Sequence, residues 1–381
     1  MDALVIGAGI GGLAAALGLR RAGWRVRVLD EDHEEGEERN EGVALWPVAL
    51  WPRALRALEL LCPGRLREAR RAAWPANSGV FDLDGRPLIR LDPLVARGVA
   101  PIVLPHTEVH RLLLHALGAD QVLPAAKVIG VRETSTRVVV RRGDGVDHLT
   151  DLVVAAGGPV SALRPEVDSR PRARRLDGMR WHGVVSREQD PPEWCGEMWG
   201  RGETFGIAPL ADGGFAWYAV TPPPEPGERD DLRALRERFG HWPEPVPRIL
   251  AATGDNPPTA RPVEVLRPLP RRYVRGRVAL LGDAAHAMPP ALGQEAGQAL
   301  EDAAVLSLAL RAEPALTEAL HRYDQVRRPR ANRVARLSWL AGSPHRRPRP
   351  WAVDLRDGLL AHTPQWMITT ALRRLLGTSG P

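Results

Sequence analysis

The chain opens with a short unbroken apolar run, Ala3 to Ile6, which breaks at once into Gly7 to Gly12. A helix-period stretch follows from Leu13 to Gly23, and then an alternating segment from Trp24 to Asp30. The unbroken run predicts a buried strand, the 3.6-residue spacing an amphipathic helix, and Gly23 its stop. Together they predict a strand–helix–strand unit of about 30 residues with parallel strands. Beyond it an acidic loop leads to a short strand and a helix, ending near Leu61, and a further helix is predicted from His106 to Gly118. Strand-like pieces around Lys127–Thr134 and Thr136–Asp144 predict a β-meander. Thr150 to Gly158 reads as another buried strand ending in glycines.

From Met179 to Val220 the alternation has period two, which predicts an all-β segment. Thr221 to Asp230 is a proline-rich linker, followed by a short helix. Arg277 to Asp283 returns as a parallel strand, with a helix from about Gln294 to Leu310 after it. From about Ser343 the chain is predicted helical in part.

Composition narrows the function classes. A hydrophobic content of 44% supplies a sizeable core, yet no apolar run approaches the roughly 20 residues that span a bilayer. The N-terminal apolar stretch lacks a basic leader and is cut by glycines, so no secretory signal is expected. Two cysteines, Cys62 and Cys195, in a chain of 381 residues suit a cytoplasmic protein, and without a CxxC pair no metal site is expected. The formal charge is +6, and Lys127 is the only lysine. The arginines are dispersed among acids, so neither a nucleic-acid nor a membrane partner is expected. The nearest approaches to runs are RPRARR (Arg170 to Arg175) and RRPRP (Arg346 to Pro350).

The chemistry begins at the glycines. Gly7 suits a tight turn, Gly9 a close backbone approach to a pyrophosphate, and Gly12 close packing of helix on strand. Phosphates then sit at a positive helix end. Asp30 closes the second strand, where a carboxylate accepts bonds from a ribose diol. With both strands and the helix in place, dinucleotide binding is predicted. Gly157–Gly158 and Gly282–Asp283 end two further strands, and in an open parallel sheet ligands bind beyond such ends. Asp283 is placed for a ribityl or ribose hydroxyl, and Pro289, Pro290 and Gly293 form a rigid backbone wall. Nine of the 19 aromatic residues fall between Trp181 and Trp242. They read either as core packing or as a pocket wall for a flat ligand, with Trp181, Trp199 and Trp217 as its candidates.

These segments resemble the group A flavin monooxygenases, the family of para-hydroxybenzoate and salicylate hydroxylases. The likeness rests on GAGIGG with Asp30, on GDAAHAMPPALGQ (Gly282 to Gln294), and on ALEDA (Ala299 to Ala303). The segment from Met198 to Val220 is similar to that family's substrate-domain sheet. The resemblance implies an α/β fold with a Rossmann-like FAD-binding domain (1–75, 100–165 and 272–342) interleaved with a mixed-sheet substrate domain (76–99 and 166–271). A C-terminal helical segment (343–381) completes it. It implies FAD on Gly7, Gly9, Gly12 and Asp30, with Arg39 approaching the nucleotide. Gly282 and Asp283 would lie on the ribityl side, and Pro290, Gly293 and Gln294 beside the ring.

It further implies reduction by NAD(P)H and transfer of one oxygen atom from O2 to an aromatic or polycyclic small molecule, through a flavin C4a-hydroperoxide. The difficult chemistry belongs to the cofactor, and His182 is the nearest candidate for a phenol-deprotonating base. Three positions depart from the family pattern. Gly157 stands in place of an aspartate, and His106 in place of an arginine near the flavin nucleotide. Glu295 replaces a glycine of the ring loop. Glu295 reads either as a solvent-facing first-turn residue that suits the helix dipole or as a charge competing with the flavin. The three departures also leave room for a redox-silent homologue, a cyclase or isomerase working without FAD turnover.

Overall fold

The computed structural model describes residues 1–31, 46–65, 74–75, 77–91, 100–186, 190–223, 231–253, 258–342 and 350–376. Arg39 lies outside them.

The first unit is β1 (Asp2–Ile6), α1 (Ile10–Arg21) and β2 (Arg25–Leu29), with β1 and β2 parallel. Gly9 caps α1 in an extended conformation, no acid occupies the first turn, and Arg20 and Arg21 sit in the last turn, where the helix dipole favours cations. Gly23, at φ 84°, turns the chain into β2. The helix β3 (Pro47–Leu50) leads into is α2 (Pro52–Leu61), which carries proline in its first turn, where no amide is required.

A seven-stranded mixed sheet forms the second layer. Its order is β16 (Thr259–Arg267), β12 (Arg172–Val185), β15 (Phe215–Thr221), β14 (Thr204–Pro209), β13 (Cys195–Trp199), β4 (Ser78–Phe81) and β5 (Pro87–Arg90). One face packs on α5 (Leu232–Phe239) and α6 (Val246–Ala252) through Phe205, Trp217, Phe239, Trp242 and Ile249. The other meets the two-stranded pair of β3 and β6 (Ile102–Pro105) through Val103, Ala208 and Ala216.

Between these, α3 (His106–Leu117) leads to β7 (Val122–Leu123), and β8 (Val128–Glu133), β9 (Val138–Arg142) and β10 (Asp147–Thr150) form an antiparallel meander. β11 (Leu152–Ala155) then pairs in parallel with β1, and β18 (Val278–Leu280) in parallel with β11. With β17 (Val274–Arg275) at one edge, the first sheet runs β17-β18-β11-β1-β2-β7. The strands β1, β11 and β18 are adjacent, so their glycine-ended carboxyl termini lie side by side. A short helix, α4 (Arg164–Val167), follows β11, and α7 (Asp283–His286) follows β18.

The helix α8 (Glu295–Ala312) is buried on most sides, many of its buried residues being small. It approaches α1 so closely that a Cβ on Gly18 would stand 3.0 Å from the Ala303 carbonyl oxygen, and Ser307 Oγ donates to the Gly18 carbonyl at 2.7 Å. The long helix α9 (Leu316–Gly342) clasps α8 and the sheet edge, with Tyr323 donating to the Leu280 carbonyl at 2.8 Å. Two further helices, α10 (Pro350–His362) and α11 (Gln365–Leu376), return to the second sheet, where the Arg356 guanidinium lies 5.0 Å from the Trp199 ring. No helix among the described residues is long and apolar enough to cross a membrane.

Candidate functional site

The glycine turn after β1 is sterically committed. Gly7 has φ 106°, and a Cβ there would meet the Ala156 carbonyl oxygen at 2.6 Å. A Cβ on Gly12 would fall 1.8 Å from the Gly7 carbonyl oxygen, far inside contact distance. Gly9 caps α1, and the first turn of the helix carries no acid. Asp30, buried at the end of β2, accepts from the Ala8 amide at 3.2 Å, which ties the turn to the second strand. His110 Nε2 lies 2.8 Å from the Ala8 carbonyl and its ring stacks with His106, 6.2 Å between centroids, so His106 stands beside this turn. The turn offers a positive helix end with no acid in the first turn of α1, which fits a pyrophosphate.

Gly157 behaves differently from Gly7 and Gly12. A Cβ there would find only ordinary contacts, the nearest being the Ile6 carbonyl oxygen at 3.8 Å. The glycine is therefore not imposed by packing.

The third strand end is held by a network that the sequence reading did not identify. Gly282, at φ 62°, turns the chain after β18, and its amide donates to Asp302 Oδ2 at 3.0 Å. The same oxygen lies 2.7 Å from His286 Nε2. Arg327, reaching in from α9, donates to Asp302 Oδ1 at 2.6 Å and to Glu301 Oε2 at 2.9 Å, and Arg330 donates to Glu301 at 2.8 Å. Burial opposes ionisation of Asp302, yet His286 and Arg327 hold its carboxyl below the usual carboxylate range. Burial likewise opposes ionisation of Glu301, and Arg327 and Arg330 bring it below its usual range. With both carboxylates paired, the network fixes the start of α7 against α8. The only sequence signal for it was the acid pair inside ALEDA.

Asp283 begins α7. Burial raises its carboxyl, Glu264 adds to the rise, and His286 and Arg180 oppose it. The loop that follows carries a 3-10 turn at Pro290–Leu292, then Gly293 at φ 55° and Gln294 as the cap of α8. Gln294 is buried, and its side-chain nitrogen has no hydrogen-bond partner. The indole nitrogens of Trp46 and Trp51 are also buried without partners, and Trp51 Nε1 would lie 3.9 Å from a Cβ on Gly293. Orphaned buried donors are rare in folded proteins. Their grouping beside one loop leaves donors that a ligand bearing acceptors would satisfy.

The second sheet faces this loop with alternate residues of its strands. In β12 and β15, His182 pairs with Tyr218 and Gly183 with Trp217. His182, Tyr218 and Arg180 therefore share one face, and Trp181 and Trp217 the other. This corrects the expectation that Trp181 and Trp217 line a pocket. They are 3% and 0% exposed and belong to the core against α5 and α6, where Phe205 stacks on Trp217 at 5.5 Å. Trp199 does lie on the His182 face. It donates to the half-buried Glu197, to which the Tyr218 hydroxyl also donates. Burial raises both Glu197 and Tyr218, and for Tyr218 the neighbouring carboxylate adds to the rise.

His182 is 3% exposed, its ring centroid is 4.8 Å from that of Trp46, and neither ring nitrogen has a partner. Burial pushes its pKa well below the ordinary imidazole value, and Arg180 pushes the same way. The group is a neutral imidazole, able to donate at one nitrogen and accept at the other, and a weak base.

Glu295 points neither into solvent nor at an empty helix mouth, which corrects the solvent-facing reading. Its Oε1 accepts from Arg180 Nη1 at 3.1 Å, with 25% and 16% of the two side chains exposed. Arg180 in turn lies 4.2 Å over the Trp46 ring. The glutamate thus joins the ring loop to the second sheet.

Residues 1–338 match the family model described as an FAD binding domain. The chain is 32% identical over 368 residues to an aurachin C monooxygenase/isomerase of Stigmatella aurantiaca, with 94% of each chain covered. It is 34% identical over 344 residues to an FAD-dependent urate hydroxylase of Klebsiella pneumoniae, with 86% of each covered. The fold superposes on the crystal structure of Klebsiella pneumoniae HpxO complexed with FAD and uric acid at a TM-score of 0.85. That match has 27% identity and covers 99% of this chain and 96% of the other.

Proposed function

From the premise that the chain belongs to the group A FAD-dependent aromatic hydroxylases, we propose that it inserts one oxygen atom from O2 into an aromatic or polycyclic small molecule, with NAD(P)H as reductant. The observation that carries this reading is the group of unpartnered buried donors, Trp46, Trp51, Gln294 and His182, around the loop beyond three adjacent strand ends.

The FAD-binding layer (1–75, 100–165 and 272–342) presents Gly7, Gly9 and Gly12 to the pyrophosphate and Asp30 to the ribose. His106 belongs to the nucleotide side. Gly282 and Asp283 face the ribityl chain, and Pro290, Gly293 and Gln294 the ring. When bound, FAD supplies the two-electron activation of O2 and the oxygen transfer. The protein holds the ring loop rigid through Asp302 and Arg327 and excludes water with Trp46 and the second sheet. The substrate layer (76–99 and 166–271) presents His182, Tyr218 and Trp199 to the substrate. A neutral His182 orients a ring hydroxyl or ring nitrogen by hydrogen bonding.

The redox-silent alternative drew on Glu295, Gly157 and His106. Pairing with Arg180 neutralises Glu295 locally, so no bare carboxylate opposes an electron-rich ring. The test is to load the purified protein with FAD and follow NAD(P)H oxidation with candidate aromatics, urate among them. Uptake of FAD and substrate-stimulated oxidation support the proposal; a protein that takes up no FAD defeats it.

A further inference from the structure

Away from the flavin loop, an open cleft of about 640 Å³ lies between the second sheet and α9. Six arginines line it: Arg170, Arg174, Arg267, Arg271, Arg328 and Arg336. Among the described residues no carboxylate does. Two of them come from the RPRARR run, which the flavin site leaves unused. Arg328 and Arg336, with Asn332 between them, recur at four-residue spacing and so share one face of α9. Pro268, Leu269 and Pro270 form a stiff wall.

Three of these cations are held in place. Asp168 grips Arg170 at 2.6 Å, Asp324 grips Arg328 at 3.0 Å, and Arg267 lies 4.0 Å over the Trp339 ring. The other three differ. Among the described residues, Arg174, Arg271 and Arg336 have no ion pair, and all three are exposed. Like charges gathered around a cleft repel one another, and an anion within it relieves that repulsion. Guanidinium groups match phosphate oxygens in forked pairs. A single carboxylate would answer one or two of six cations, whereas a diphosphate brings several oxygens and more than one charge. The volume suits a nucleotide-sized ligand.

We infer that this cleft is a binding site for the diphosphate group of a small nucleotide-type ligand. It is separate from the pyrophosphate site at Gly7 to Gly12 and does not depend on the chain's reaction with O2.

The test is calorimetric titration of the full-length, FAD-loaded protein with inorganic diphosphate at low ionic strength. Saturable binding is expected, weakened about tenfold or more in the Arg174→Glu/Arg336→Glu variant and unaltered in Arg132→Glu, which reverses a charge on β8 outside the cleft lining. Both target side chains are exposed, so folding is retained, and the milder Arg174→Gln/Arg336→Gln variant should move binding in the same direction. Two sources of the diphosphate are separable by competition. Displacement by NADH or NADPH, with a raised KM for the reductant and unchanged kcat in the variants, assigns it to the reductant. Displacement by ADP but not by the reductants assigns it to a second nucleotide; either result upholds the site. Absence of saturable diphosphate binding, or equal weakening in Arg132→Glu, overturns it.

Discussion

Arg180 Nη1 and Glu295 Oε1 lie 3.1 Å apart across 115 residues of sequence, joining β12 of the second sheet to the first residue of α8. Removing one partner leaves the other charged and partly buried. Glu295→Ala is therefore expected to destabilise the fold by about 2 kcal/mol, and pairing it with Arg180→Met to recover part of that loss. A double-mutant cycle of denaturant midpoints should give a coupling of about 1–3 kcal/mol. Because the charge is already paired, Glu295→Gly should leave FAD affinity within about twofold, or less than half a kcal/mol. A marked tightening would show that the glutamate does oppose the flavin.

The Asp302 network carries a pH signature. Asp302 and Glu301 are held below the usual carboxylate range in the fold. Their pairing thus contributes stability that is fully present above the unfolded carboxylate value of about 4 and is lost as pH falls through the depressed values. Asp302→Asn should lower stability near neutrality by up to about 3–5 kcal/mol, since it removes one of the two carboxylates that face the buried Arg327 and leaves Glu301 alone to answer its charge. It should also flatten the acid limb of a plot of stability against pH. An acid limb identical to that of the wild type would contradict the assignment.

His182 shifts in the same sense for a different reason. Its imidazole is neutral in the fold and ionises readily once unfolded near pH 6.5. Folding stability from this group is present above about pH 6.5 and declines as pH falls below it. The ring resonances of His182 should show no titration near pH 6.5, and kcat/KM should have no inflection there attributable to it. An inflection near 6.5 that disappears in His182→Gln would restore it as a titrating base.

Two glycines, Gly12 in the first turn of α1 and Gly157 after β11, should respond oppositely. Gly12→Ala places a methyl 1.8 Å from the Gly7 carbonyl oxygen and must displace the turn. FAD affinity should fall about tenfold or more, a loss of at least about 1.4 kcal/mol. Gly157→Asp meets nothing closer than 3.8 Å at Cβ. Its thermal stability should stay within about 1 kcal/mol of wild type. A collapse of Gly157→Asp would mean that the turn after β11 tolerates glycine alone.

The strand–helix–strand unit was legible because glycine spacing and helix period are local properties, and Gly7, Gly12 and Asp30 stand where the pattern requires. The turn at Gly282 was legible because an apolar strand running into glycine is equally local. Side-chain partnerships across the chain were not. Nothing near Glu295 announces Arg180, and nothing near Asp302 announces Arg327, because each pair forms only once separate layers pack. The tryptophans show an intermediate case. Strand alternation separates Trp181 from His182 in the sequence itself, but which face meets the flavin layer depends on where α5 and α6 dock. Trp46 and Trp51, the buried unpartnered donors beside the ring loop, carry no motif at all.

The most direct measurement is the fate of isotopically heavy dioxygen. The FAD-loaded protein, given NAD(P)H and an aromatic that stimulates its oxidation, should yield a product containing one heavy oxygen atom by mass spectrometry. A product whose added oxygen comes from water, or conversion that proceeds without O2, would contradict the oxygen-insertion account.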